Sequence, residues 1–225
     1  MCICHSSSTL MIFSYQPTVS IILATFNRAH YVAHAVQSVV EQTIDDWELL
    51  IVDDGSDDAT FDVVAPFLAQ HSNIRYMKHK NRNAALSRNA GIQASFGQYI
   101  TFLDSDDRYA PNHLASRLKI MAENPAVDLL SGGFWCEEPT LVKDRDNPKR
   151  LINIRECIVC GTLFGKRELF FDLEGFRNVA YAEDTDLWER ASLRFVTKKI
   201  AAPESYLYQR ALDSITLTYQ ATMNG

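Results

Sequence analysis

Three acidic clusters in this sequence bring together side chains that could do metal or acid–base chemistry. They are Asp53-Asp54-Gly55-Ser56, Asp104-Ser105-Asp106-Asp107 and Glu183-Asp184-Thr185-Asp186. Hard divalent cations prefer carboxylate oxygen, and Mg2+ or Mn2+ is commonly held by one or two carboxylates plus substrate phosphates. The Asp104–Asp107 cluster suits that task, and a cation there would neutralise a diphosphate leaving group as its bond breaks. The competing reading is an Asp/Ser turn that bonds its own backbone. Asp54 has the chemistry to accept a hydrogen bond from a nucleobase N–H. Thr25-Phe26-Asn27 would form the facing wall, with Phe26 packing on the base. The bland alternative there is a tight turn with Gly55 at a special dihedral and Ser56 or Asp57 capping the next helix. In the third cluster a carboxylate could take the proton from an acceptor hydroxyl; acidic residues also favour helix N-termini for purely structural reasons. Arg88 is either a solvated helix arginine or a guanidinium reaching a diphosphate or base.

The elements that must position these groups follow from hydrophobic patterning. Val19–Ala24, Trp47–Val52 and Tyr99–Leu103 are short, nearly continuous apolar runs, as expected of buried parallel strands, and Ile74–Lys78 reads as another strand. Ala29–Glu41, Thr60–Gln70, Asn83–Ala94 and a segment from Pro111 to Glu123 carry helical spacing. Gly91 would let its helix approach the sheet closely. Strand–helix alternation at this spacing predicts βαβ units and a parallel sheet covered on both faces. Ligands of such sheets bind beyond the carboxyl ends of the strands, and the first two acidic clusters fall at such ends. Further along, Val127–Phe134 reads as a strand, 137–150 as a charged loop, Gly161–Phe164 as a strand and Lys166–Leu173 as a helix. Glu183 opens a helix carrying Leu187, Trp188 and Ala191, and Thr197–Ala201 and Ser205–Gln209 are strand-like.

Composition narrows the function classes. The chain has 225 residues, 47% hydrophobic and 22% charged, with a formal net charge of -6, and it carries no basic footprint for nucleic acid. Five cysteines without a regular framework argue against a disulfide-stapled domain. Cys157 and Cys160 are expected to be small apolar residues beside a strand rather than half of a metal site. No apolar run approaches the ~18 residues that span a bilayer, and the N-terminus lacks a leader's positive region. The expectation is therefore a cytoplasmic protein, with peripheral contact at the inner face of the membrane left open. Residues 1–16 are expected to be poorly structured, with Met11 an alternative start. Residues 17–225 are expected to form one domain, a nucleotide half over about 17–110 and an acceptor half over about 111–225. Glycine-rich dinucleotide and P-loop motifs, H-E-x-x-H and the nucleophile elbow are absent.

Four motifs in order, Val19–Arg28, Ile51–Ser56, Ser87–Ile92 and Phe102–Asp107, strongly resemble family 2 glycosyltransferases of the GT-A fold. The resemblance covers about residues 18–192. It implies an α/β, GT-A-like domain with a mainly parallel central sheet and helices on both faces. It also implies an inverting transfer from a UDP-, GDP- or dTDP-linked sugar to a carbohydrate or lipid-linked acceptor, in cell-surface polysaccharide or glycoconjugate synthesis, with Mn2+ or Mg2+. By this likeness Thr25, Phe26, Asn27, Asp54, Arg88, Asp104 and Ser105 bind the nucleotide sugar. Asp106, with Asp104, binds the metal. Asp184 is the base, with Glu183 and Asp186 as lesser candidates. Some relatives add a late histidine as a metal ligand; this chain has no His after His113, and Arg210 is a candidate to hold a phosphate instead. A nucleotide-sugar-binding module without transfer is the second hypothesis, and the intact Glu183-Asp184 weighs against it. A sugar nucleotidyltransferase is the third, and Thr25–Arg28 lacks the glycine- and basic-rich loop it would need.

Overall fold

The computed structural model describes residues 16–147 and 149–209. The residues 1–15, with Cys2 and Cys4, and Arg210 lie outside the described residues. The first half alternates as β1 (Val19–Thr25), α1 (Val32–Val40), β2 (Trp47–Asp53), α2 (Thr60–Gln70), β3 (Ile74–Lys78), α3 (Ala84–Ala94) and β4 (Tyr99–Asp104). Then follow β5 (Arg108–Tyr109), α4 (His113–Glu123), β6 (Leu129–Gly132), β7 (Phe134–Trp135), β8 (Leu141–Lys143) and β9 (Leu151–Asn153). The described chain closes with β10 (Phe164–Lys166), α5 (Arg167–Asp172), α6 (Glu183–Ser192), β11 (Thr197–Ile200) and β12 (Tyr206–Leu207).

Seven strands form one sheet in the order β11-β6-β10-β4-β1-β2-β3. It is parallel apart from β10, which runs antiparallel between β4 and β6. All seven residues of β2 are buried, which explains why β1, β2 and β4 read as continuous apolar runs: both faces are covered. One face packs Ile21, Leu23, Leu49 and Ile51 under α1, α2 and α4. The other packs Ile22, Leu50, Val52 and Phe102 under α3, α5 and α6. Each such aliphatic side chain removed from water stabilises the fold by about 1.5–3 kcal/mol before conformational entropy is counted. Gly91 makes the close approach expected of it: a Cβ there would come within 2.4 Å of Ile22 Cγ2.

The register sets up the site. Thr25 pairs with Asp53, and Ala24 with Asp104, so the three strand ends finish side by side.

The second half departs from the patterning in three places. The strand expected over Val127–Phe134 is split into β6 and β7, because Gly132 and Gly133 take positive φ of 102° and 66°. The segment 137–150, expected to be a loop, contributes β8, which pairs antiparallel with β9. Strands of three residues are too short to show a period against charged neighbours. The strand expected over Gly161–Phe164 begins only at Phe164; Cys160–Thr162 is a 3-10 turn closed by the Thr162 N–H on the Val159 carbonyl at 2.9 Å. Gly161 is required there because a Cβ would strike the Tyr206 hydroxyl at 2.0 Å.

Candidate active site

A cavity of about 950 Å³ opens beyond the carboxyl ends of β1, β2 and β4, and α6 and the β8–β9 hairpin form its far wall. Thr25, Phe26, Asn27, Asp54, Arg88, Asp104, Ser105, Asp106, Glu183 and Asp184 all line it. Asp186 does not: it pairs with Arg190 at 2.8 Å and with Arg177 at 3.6 Å, so it serves the helix and its approach.

The loops after β1 and β2 brace each other. The Asn27 N–H donates to Ser56 Oγ at 2.9 Å, and the Asp57 N–H donates to Asn27 Oδ1 at 2.9 Å. Asp53 is fully buried and builds the turn, accepting the N–H groups of Gly55 and Ser56 and the Tyr76 hydroxyl. Asp54 faces the crevice and accepts the N–H groups of Arg82 and Asn83, each at 2.9 Å, which holds the entry to α3. Phe26 is 42% exposed, a large apolar ring left open at the mouth of the cavity. The Thr25 hydroxyl is buried and has no hydrogen-bond partner among the described residues. An unmet buried hydroxyl costs about 1–3 kcal/mol, and a bound polar ligand would relieve it.

Arg88 spans the cavity floor. Its guanidinium donates to Asp104 Oδ1 at 2.8 Å and to Glu183 Oε1 at 2.6 Å, joining the end of β4 to the start of α6. That contact crosses 95 residues of sequence. Arg88 is thus a buried strut between two carboxylates that also lines the cavity, and it is not a solvated arginine on a helix surface. Asp104 and Asp106 supply the hard oxygen chemistry that Mg2+ or Mn2+ requires. Among the described residues no three His, Cys, Asp or Glu side chains converge as a ready-made cation site.

Asp184 follows directly after the Arg88 partner. Burial, and then the charge of Glu183, push its carboxyl up to about 7, against the Thr185 N–H and Arg88, which favour its charged form. A carboxylate poised near neutrality has the proton affinity of a general base. Ala182, just before the helix, adopts φ 58°, a left-handed conformation that is costly for a residue with a Cβ and that turns the chain sharply into α6.

Asp107 lines the cavity, and Tyr206 is buried against it. The Asp107 carboxylate accepts the Tyr206 hydroxyl and, at 2.6 Å, the Gln209 N–H. It is fully buried, and burial together with the charges of Asp104 and Asp106 raises its carboxyl above the usual range. Tyr206 in turn lies against Gly161 and reaches the Asp104 N–H at 3.4 Å. Asp107 was visible as part of its cluster; its partners lie about a hundred residues on, and nothing local marks Tyr206. Cys160 is buried and Cys157 half-buried, both as free thiols. Burial raises both, Cys157 to about 11, so they stay protonated and apolar as expected.

The mainly parallel sheet with an acidic cavity beyond the carboxyl ends of its strands is an α/β domain with its candidate site at the strand ends. Residues 20–169 match Glycosyl transferase family 2, and the chain belongs to that family. An uncharacterised glycosyltransferase of Rickettsia bellii is 38% identical over 183 residues, covering 78% of this chain and 26% of that protein. The putative teichuronic acid biosynthesis glycosyltransferase TuaG of Bacillus subtilis is 32% identical over 121 residues, covering 53% and 48%. The chain thus spans less than half the length of either relative. Among solved structures, Staphylococcus aureus TarS 1–349 with UDP-GlcNAc superposes with a TM-score of 0.72 at 18% identity, over 89% of this chain and 60% of that one. The mannosyltransferase PcManGT of Pyrobaculum calidifontis, in complex with GDP-Man and Mn2+, gives 0.71 at 19% identity, over 94% and 65%. These likenesses establish the GT-A fold.

Proposed function

We propose that this chain transfers a glycosyl group from a nucleoside-diphosphate sugar to an acceptor hydroxyl, with inversion. The observation that carries the reading is the placement of Asp184, raised to about 7, in one cavity with Asp104 and Asp106. The nucleotide half, about 17–110, offers Phe26 to the base face, Asp54 to a base N–H, and Thr25, Asn27 and Ser105 as polar contacts. Asp106 and Asp104 would hold Mn2+ or Mg2+, which when bound neutralises the charge of the departing diphosphate. The acceptor half, about 111–225, supplies the base. Asp184 takes the proton of the acceptor hydroxyl as its oxygen bonds to the anomeric carbon. The bond from that carbon to the diphosphate oxygen breaks, and its electron pair leaves with the nucleoside diphosphate. Glu183 remains on Arg88, which keeps the two halves in register.

The neighbours' complexes with UDP-GlcNAc and with GDP-Man and Mn2+, and the relative named for teichuronic acid synthesis, support a sugar-nucleotide donor and a role in cell-surface polysaccharide synthesis. The acceptor class we favour is a carbohydrate, free or lipid-linked. Among the described residues no helix is long and apolar enough to cross a membrane. The test is nucleoside diphosphate release from UDP-, GDP- and dTDP-sugars with Mn2+ or Mg2+. One donor should give release that Asp184→Asn abolishes; release from none of them would refute the proposal.

A further inference from the structure

Trp188 lies one helical turn after Asp184 on α6, and both side chains line the cavity. Residues four apart on a helix share a face, so the indole is the surface beside the proposed base. It is anchored from behind, where it packs on the core cluster beneath α3, α5 and α6. A purely structural tryptophan in this protein looks like Trp47, at the start of β2, which is 4% exposed; Trp188 is only partly covered and lines the crevice. Val142 and Ile152 of the hairpin line the same cavity. Tyr181 closes the corner between hairpin and helix, its hydroxyl donating to the Lys143 carbonyl at 3.1 Å. The Lys199 ammonium stands over the Trp188 ring, 6.0 Å from its centre, at the outer limit of a cation–π contact.

This stretch of the cavity lining offers an aromatic ring beside the proposed base. A pyranose has C–H faces that pack on an aromatic plane, and hydroxyls at its edge that point sideways. A rigid indole provides that contact area at low entropic cost, as large aromatics do in recognition sites generally. We propose that Trp188 is the platform on which the sugar ring of the acceptor stacks, presenting a ring hydroxyl to Asp184. The acceptor class is then a pyranoside, and Trp188 determines specificity for it; the inference rests on the transferase reading above.

The test uses the full chain as wild type, Trp188→Leu and Trp188→Phe, with the active sugar nucleotide and Mn2+. Phenyl β-glucoside, β-galactoside and N-acetyl-β-glucosaminide serve as acceptors, with 1-octanol as the aliphatic control. The expected result is an acceptor KM raised about tenfold in Trp188→Leu and restored in large part by Trp188→Phe, whose ring still stacks. The donor KM should not share that rise. An acceptor KM that does not move in Trp188→Leu overturns the platform. So does an equal rise in donor KM, which marks a structural role. Wild-type transfer to octanol or water but to none of the glycosides overturns it as well, while sparing the transferase reading. A wild type that releases no nucleotide from any donor overturns both.

Discussion

Replacing Asp184 with asparagine keeps the size of the side chain and an oxygen for the Thr185 N–H, now met at 2.7 Å, while removing its capacity to take a proton. A positioned general base contributes on the order of 10²–10⁴ in rate, so kcat should fall by that factor, about 3–5 kcal/mol of barrier. The wild type should carry the matching pH signature. The charged form is the base, and the carboxyl is raised to about 7. Roughly a tenth of the enzyme is therefore competent at pH 6, half at pH 7 and nine-tenths at pH 8. Stability should run the other way. The folded protein keeps this proton up to about 7, whereas the unfolded chain releases it near the ordinary 3.8. The group's contribution is full below about pH 4 and is lost as pH rises through 7. Asp184→Asn should therefore gain stability relative to the wild type at pH 8 but not at pH 4. Nucleoside diphosphate release, followed by a coupled assay from pH 5.5 to 8.5 at constant ionic strength, reads the rates. An Asp184→Asn enzyme retaining more than a tenth of wild-type kcat, or a flat wild-type profile across pH 6–8, would refute the assignment.

Arg88→Met leaves Asp104 and Glu183 without their shared cation. It should cost about 3 kcal/mol in chemical denaturation and move the rising limb of the pH profile upward, since Arg88 favours the charged form of Asp184. Gly91→Val places a branched side chain where even a Cβ meets Ile22 at 2.4 Å. Overpacking should lower stability by about 1–3 kcal/mol, read as a drop in Tm of several degrees. Phe26→Ala removes the exposed ring at the cavity mouth; nucleotide affinity by calorimetry should fall about tenfold if the base stacks there.

The part of the fold from β1 to β4 was legible because it is built from local signals. β1, β2 and β4 are buried on both faces, so each reads as a continuous apolar run ending in its own polar residues. Parallel register then brings Thr25, Asp53 and Asp104 abreast without further information. The part after β4 was harder for the opposite reason. The β8–β9 hairpin has three residues per strand and joins segments ten residues apart. The Arg88–Glu183 and Asp107–Tyr206 contacts link residues 95 and 99 apart, with no local pattern to announce them. The choice among Glu183, Asp184 and Asp186 is where geometry adds most. Glu183 and Asp186 are engaged by arginines, and Asp184 lies in the cavity with its carboxyl raised toward neutrality.

The most direct measurement is thermal unfolding with UDP, GDP, dTDP and CDP, each with and without Mn2+, on wild type and Asp106→Ala. A nucleotide at ~100 times its dissociation constant stabilises the folded state by ~2.7 kcal/mol. Stabilisation of the wild type by one nucleotide, dependent on Mn2+ and absent in Asp106→Ala, is the predicted result. No shift with any nucleotide under any condition would contradict a donor site in this crevice.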